Sequence, residues 1–179
     1  MSPSPFAGRD RAALRKHLSS YWKMEAGNVL LVPLIVWAMV WSAGDAPDAA
    51  MWLGAAACSF LLVVGTAAWL LVLAGLDGKP AQATRLVAFC ARAEIVSLLL
   101  VAATLAAASA VITGGWPPRA LAAAGLTLLG WLEYVNYYHW QLQNFDSQID
   151  AKRLAAGRGL RRAHMGRAVR AWRARRRRN

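Results

Sequence analysis

Four apolar stretches separated by short polar turns organise the middle of the chain. They predict spans at about 24–42, 51–76, 86–113 and 120–140. Each is close to the roughly 20 residues a helix needs to cross the hydrocarbon of a bilayer. The stretches are rich in alanine and leucine and lack the alternation of transmembrane strands. Helices also pair their own backbone groups, which hydrocarbon demands. Gly44-Asp45-Ala46-Pro47-Asp48, Asp77-Gly78-Lys79-Pro80 and Gly114-Gly115-Trp116-Pro117-Pro118 supply the turns between spans. Links this short make consecutive helices antiparallel neighbours. The pattern therefore predicts an all-α, integral membrane four-helix bundle over residues 24–142.

The flanks carry a different pattern. In residues 1–23, Leu14, Leu18, Tyr21 and Trp22 form an apolar stripe between Arg11, Arg15, Lys16 and Lys23. That is the signature of an amphipathic interfacial helix leading into the first span. Residues 143–179 read as a basic cytoplasmic tail. Within it, Ser147-Gln148-Ile149-Asp150 resembles a helix-starting box, and Gly157 and Gly159 permit a break. Beyond the break, Leu160, Met165, Val169 and Trp172 recur on one helical face. Arg161, Arg162, Arg167, Arg170 and Arg173 occupy much of the remainder, so a basic C-terminal helix is expected.

Composition sharpens this picture through segregation. Apolar residues make up 58% of the 179 positions and charged residues 17%, yet the formal charge is +12. The first figure is high for a soluble domain. Most of the positive charge lies before the first span, around the second turn and in the tail. The positive-inside rule then places both termini in the cytoplasm, with a multi-pass location in the inner membrane. Trp37, Trp41, Trp52 and Trp116 fit an outer aromatic belt, and Tyr21 and Trp22 an inner one. Gly54, Cys58 and Gly65, then Ala103, Ala107 and Ala110, then Ala123 and Gly130, offer small residues for close helix contact. Pro33 removes the hydrogen bond its backbone would make to Val29 and is expected to bend the first span.

Against this apolar background, the run from Trp131 to Gln141 stands out. Antiparallel topology brings Glu133, Asn136 and His139 of the fourth span level with Arg92 and Glu94 of the third and Glu25 of the first. Intramembrane ionisable groups are costly and need a partner or a wet cavity. An inner-leaflet polar cluster of these six residues is expected, with Arg92 paired to Glu94 or Glu133. Trp22, Tyr137, Tyr138, Trp140, Arg161, Arg162 and Trp172 are expected at the lipid interface.

The two cysteines, Cys58 and Cys90, lie in or beside apolar runs outside any metal-spaced cluster. Only His17, His139 and His164 are available as imidazole ligands, and no catalytic motif is present. No cofactor, metal or catalytic residue is assigned. The expected function is a small membrane scaffold or accessory subunit. Its expected partners are anionic phospholipids and helices of a homo-oligomer or larger membrane complex. Nucleic acid is disfavoured, since no reader motif accompanies the charge. A homo-oligomeric ion or proton channel using the polar cluster is the alternative, and an enzyme acting on an anionic lipid ranks below it.

Overall fold

The computed structural model describes residues 6–142, 156–157 and 159–178, with side chains from Ala12 onward. Its helices are α1 (Phe6–Ser42), α2 (Ala49–Leu76), α3 (Pro80–Ile112), α4 (Pro118–Tyr138) and α5 (His164–Arg176). Among the described residues, three helical stretches are long and apolar enough to cross a membrane: Ala12–Ser42, Ala49–Leu76 and Pro80–Ile112. The fourth expected span forms a helix of 21 residues but is not one of these three. Its last turns carry Glu133, Asn136 and the tyrosines, which interrupt the apolar run. The helix-starting box at Ser147–Asp150 lies outside the described residues.

The helix boundaries follow from local chemistry. Asp48 caps α2 by accepting the backbone N–H of Met51 at 2.8 Å. Pro80 and Pro118 open α3 and α4, where a missing N–H costs nothing. The expected interfacial segment and first span form one continuous helix, with Pro33 inside it. The carbonyl that Pro33 orphans, that of Val29, accepts instead from Ser59 Oγ of α2 at 2.7 Å. A backbone defect in one helix is thus filled by the neighbouring helix.

α2 is the axis of the bundle. It packs along α1, α3 and α4, while α1 and α4 touch each other only sparsely. Small residues make these approaches possible. Gly54 faces Leu126, Gly65 faces Tyr137, and Gly130 faces Val101, Leu61 and Cys58. Cys58 Sγ donates to the Leu126 carbonyl at 3.1 Å, and Thr127 Oγ1 to the Thr104 carbonyl at 3.3 Å. Of the alanine stripe expected on α3, only Ala107 packs against the core. Ala103 and Ala110 are exposed, whereas Cys90, Ser97, Val101, Thr104 and Ala108 are buried. Alanines occur all round that helix, so their spacing could not select its inner face.

Ion pairs hold both ends. At the end with the α1–α2 and α3–α4 turns, Arg119 pairs with Asp45 and lies 3.6 Å from Asp48. At the opposite end, here the lower end, Arg15 Nε lies 3.0 Å from Asp77 and Lys79 Nζ lies 3.5 Å from it. Hydrogen bonds from Arg119, its backbone N–H foremost, hold the Asp45 carboxyl below its usual range. The Arg15 guanidinium does the same to Asp77. α5 docks at the lower end against α3 and α4.

Candidate functional site

The polar residues gather at the lower end, but as two clusters on different faces. In the first, the Tyr137 hydroxyl donates to Glu25 Oε1 at 3.1 Å. Glu25 is 7% exposed. The donor sits on α4 and the acceptor on α1, with α2 between them. The crossing is possible because position 65 is glycine: a Cβ there would collide with the hydroxyl. Trp69, one turn along α2, turns its indole toward the same Glu25 carboxylate. Glu133 lies beside Tyr137 and Asn136, close enough to interact with both. Its Oε2 is buried with no hydrogen-bond partner among the described residues.

The second cluster belongs to α3 and α5. Arg173 NH1 lies 2.7 Å from Glu94 Oε2, and its NH2 donates to the Ala91 carbonyl at 2.8 Å. Tyr138 Oη donates to the Cys90 carbonyl at 3.0 Å. The cation that meets Glu94 is therefore Arg173 of the tail helix. Arg92, the expected partner, is exposed and makes no ion pair among the described residues. Arg173 reaches Glu94 from a helix seated on α3, whereas the Arg92 side chain lies on the exposed side of α3.

The remaining candidates take structural positions. Asn136 Oδ1 accepts the backbone N–H of Leu142 at 2.8 Å, which secures the chain as it leaves α4. His139 is exposed, with its ring 5.3 Å from that of Tyr134. Tyr137 and Tyr138 are buried at 6% and 1% exposure, inside the bundle and away from the lipid surface expected for them. Their hydroxyls find protein partners, so water and headgroups are not needed. Trp22 and Trp140 do remain accessible, under Lys23 and Arg162 respectively. Trp172 packs against the core, with Arg176 over its ring at 5.1 Å.

α5 completes the lower end. Met165 and Val169 are buried with Tyr134, Tyr137 and Tyr138 in one apolar cluster. Gly166 lies so near the Tyr138 carbonyl that a Cβ would strike it. Before the helix, the chain pairs with the end of α4: Gln141 N donates to Arg161 O at 2.8 Å and Ala163 N to His139 O at 3.1 Å. This seating leaves Arg161, Arg162, Arg167 and Arg170 exposed on the outward side.

Two cavities open here. One, of about 250 Å³, is lined by residues including Ala68, Trp69, Val72, Asn136, Tyr137, Gln141 and His164. Partial desolvation, although the residue keeps an exposed edge, and the neighbouring Arg167 hold the His164 imidazole below its usual range, which favours its neutral form. The other, about 620 Å³ and open, is lined by Gln141, Leu160, Arg161, Arg162 and Arg167. Trp69 was not among the sequence candidates, and Gln141 and His164 were noted without being assigned to a site. The signal for Trp69 was its place one turn from Gly65, level with Glu25 in an antiparallel pair. At the other end, a groove of about 510 Å³ between α1 and α4 is lined by residues such as Val36, Met39, Leu121 and Leu129.

Among the described residues, no group of three or more His, Cys, Asp or Glu side chains is placed to hold a metal ion. Comparison with known proteins finds no matching family model, no matching curated protein and no matching solved structure.

Proposed function

We propose that this chain is a four-helix integral membrane scaffold that holds a basic helix against the anionic cytoplasmic leaflet. In this reading α4 crosses the membrane with α1, α2 and α3, and both termini are cytoplasmic. The observation that carries it is the seating of α5. Its apolar face is buried on the bundle, Arg173 latches it to α3, and Arg167 and Arg170 stay exposed on its outward side. Clustered arginine beside a membrane span attracts anionic headgroups at about 1 kcal/mol per residue. Trp140, with Arg162 over its ring, serves beside that surface as an interfacial anchor, and Trp22 serves as another on α1. Assembly with a second copy or a larger membrane complex belongs to the same reading.

The test is thermal unfolding of the detergent-solubilised chain with added phospholipid. A ligand that binds only the folded form raises the unfolding temperature by mass action. Phosphatidylglycerol should raise it and phosphatidylcholine should not. Equal shifts with both lipids would sink the proposal.

The Glu25–Tyr137–Glu133 cluster favours a second reading, a proton or ion pathway, because buried carboxylates in a membrane commonly mark one. The groove beyond them, between α1 and α4, has an apolar lining, which weighs against a continuous route.

A further inference from the structure

The two lower-end cavities share Gln141 and differ in chemistry. One is rimmed by the guanidinium groups of Arg161, Arg162 and Arg167. The other reaches inward along α2 past Ala68, Trp69 and Val72, mostly apolar side chains. A cationic cavity next to a mostly apolar one, with Gln141 lining both, matches one class of molecule, an amphiphile with a phosphate at its polar end. We infer that the paired cavities form a binding site for a phospholipid of the anionic leaflet. Its phosphate sits between Arg162 and Arg167, and its first apolar segment lies against Trp69.

Several features fit this assignment. Arginine forks match phosphate oxygens in pairs, and such charge-assisted hydrogen bonds are about twice as strong as neutral ones. The α5 first turn carries no acidic residue and no side-chain cap, so no carboxylate of that turn competes with the anion for the arginines. Arg162 is held in place by its ring contact with Trp140, 5.5 Å from guanidinium carbon to ring centre, and by backbone pairing with the same residue. Leu160 gives the mouth an apolar edge. His164, held toward its neutral form, leaves the anionic charge to the arginines.

The inference rests on the anionic-leaflet reading above and narrows it to one place. Native mass spectrometry of the full chain, released from detergent with phosphatidylglycerol, tests it. The wild type should retain one phosphatidylglycerol. Joint replacement Arg162→Ala and Arg167→Ala should weaken retention about tenfold or more. Ala68→Phe, which fills the recess, should also weaken it. Arg177→Ala with Arg178→Ala, on exposed residues past the end of α5, should leave it unchanged. Unfolding temperatures of the variants without lipid identify any that simply misfold, and the recess and mouth variants check each other. If both arginine pairs reduce retention equally, the localised site is wrong while a diffuse anionic-surface role stands. If inorganic phosphate displaces the lipid and Ala68→Phe has no effect, the site takes free phosphate and the lipid assignment is wrong. If phosphatidylglycerol is never retained, the site assignment fails, and the thermal-shift comparison with phosphatidylcholine decides separately whether the broader reading fails with it.

Discussion

The hydroxyl of Tyr137 donates to Glu25 at 3.1 Å across the face of a third helix. This one bond joins α4 to α1, which otherwise touch sparsely. Its route exists only because α2 has no side chain at Gly65. Gly65→Ala should therefore destabilise the fold by about 1–3 kcal/mol, as overpacking usually does. Tyr137→Phe should cost about 1–3 kcal/mol by leaving a buried acceptor without its donor. The two changes should be strongly non-additive, because Tyr137→Phe removes the hydroxyl that the new methyl of Gly65→Ala would strike. Thermal unfolding of the two single variants and the double variant in detergent measures this coupling.

A second prediction concerns Ser59 and Val29. Ser59→Ala should cost about 1 kcal/mol by returning the Val29 carbonyl to an unpaired state. In a Pro33→Ala background that cost should fall, since residue 33 regains the N–H that Val29 lacked. A double-mutant cycle on unfolding free energies checks it. An equal Ser59→Ala cost in both backgrounds would separate the hydroxyl from the proline.

How far the sequence carried is visible in these same residues. The apolar helical stretches, the turns between them and the hydrogen bond that Pro33 removes could be read directly, because hydrophobic runs and proline chemistry act locally. That Glu25, Glu133 and Glu94 lie toward the same end of the helices could also be read, since helical rise and antiparallel order set it. Rotation could not. The side of α4 on which Tyr137 lies, and its passage over Gly65, depend on how three helices turn about their axes. The alanine-rich faces of α3 misled for that reason. The docking of α5 was equally hidden. Its apolar stripe was plain, but nothing local distinguished a lipid surface from the bundle itself as its partner.

The Arg173–Glu94 pair predicts that the tail helix is latched. Arg173→Ala should loosen α5 by about 1 kcal/mol, since both partners keep some exposure. Hydrogen exchange of the α5 amides should then rise while exchange in α2 stays unchanged. Arg92→Ala, at an exposed site without an ion pair among the described residues, should leave α5 exchange as in the wild type.

The end-loop ion pairs predict an acid response. Asp45 and Asp77 have folded pKa values below the ordinary 3.8 of an aspartate. A depressed carboxylate contributes stability above its unfolded pKa and loses it as pH falls through the folded pKa. Asp45→Asn and Asp77→Asn should therefore be less stable than wild type at neutral pH. The difference should shrink as pH falls below about 4. Unfolding temperatures measured against pH for each variant test the sign. A gap that widens on acidification would contradict it.

The most direct measurement is the side of the membrane reached by two single cysteines. Ala46→Cys lies in the exposed α1–α2 turn and Arg178→Cys in the exposed chain after α5. Cys58 and Cys90, both buried, are replaced by alanine to remove background. Between the two probes run α2, α3 and α4, so three crossings place them on opposite sides. A membrane-impermeant maleimide applied to intact cells should label Ala46→Cys and should reach Arg178→Cys only after permeabilisation. Labelling of both in intact cells would mean that α4 does not cross and that the basic helix does not face the cytoplasm.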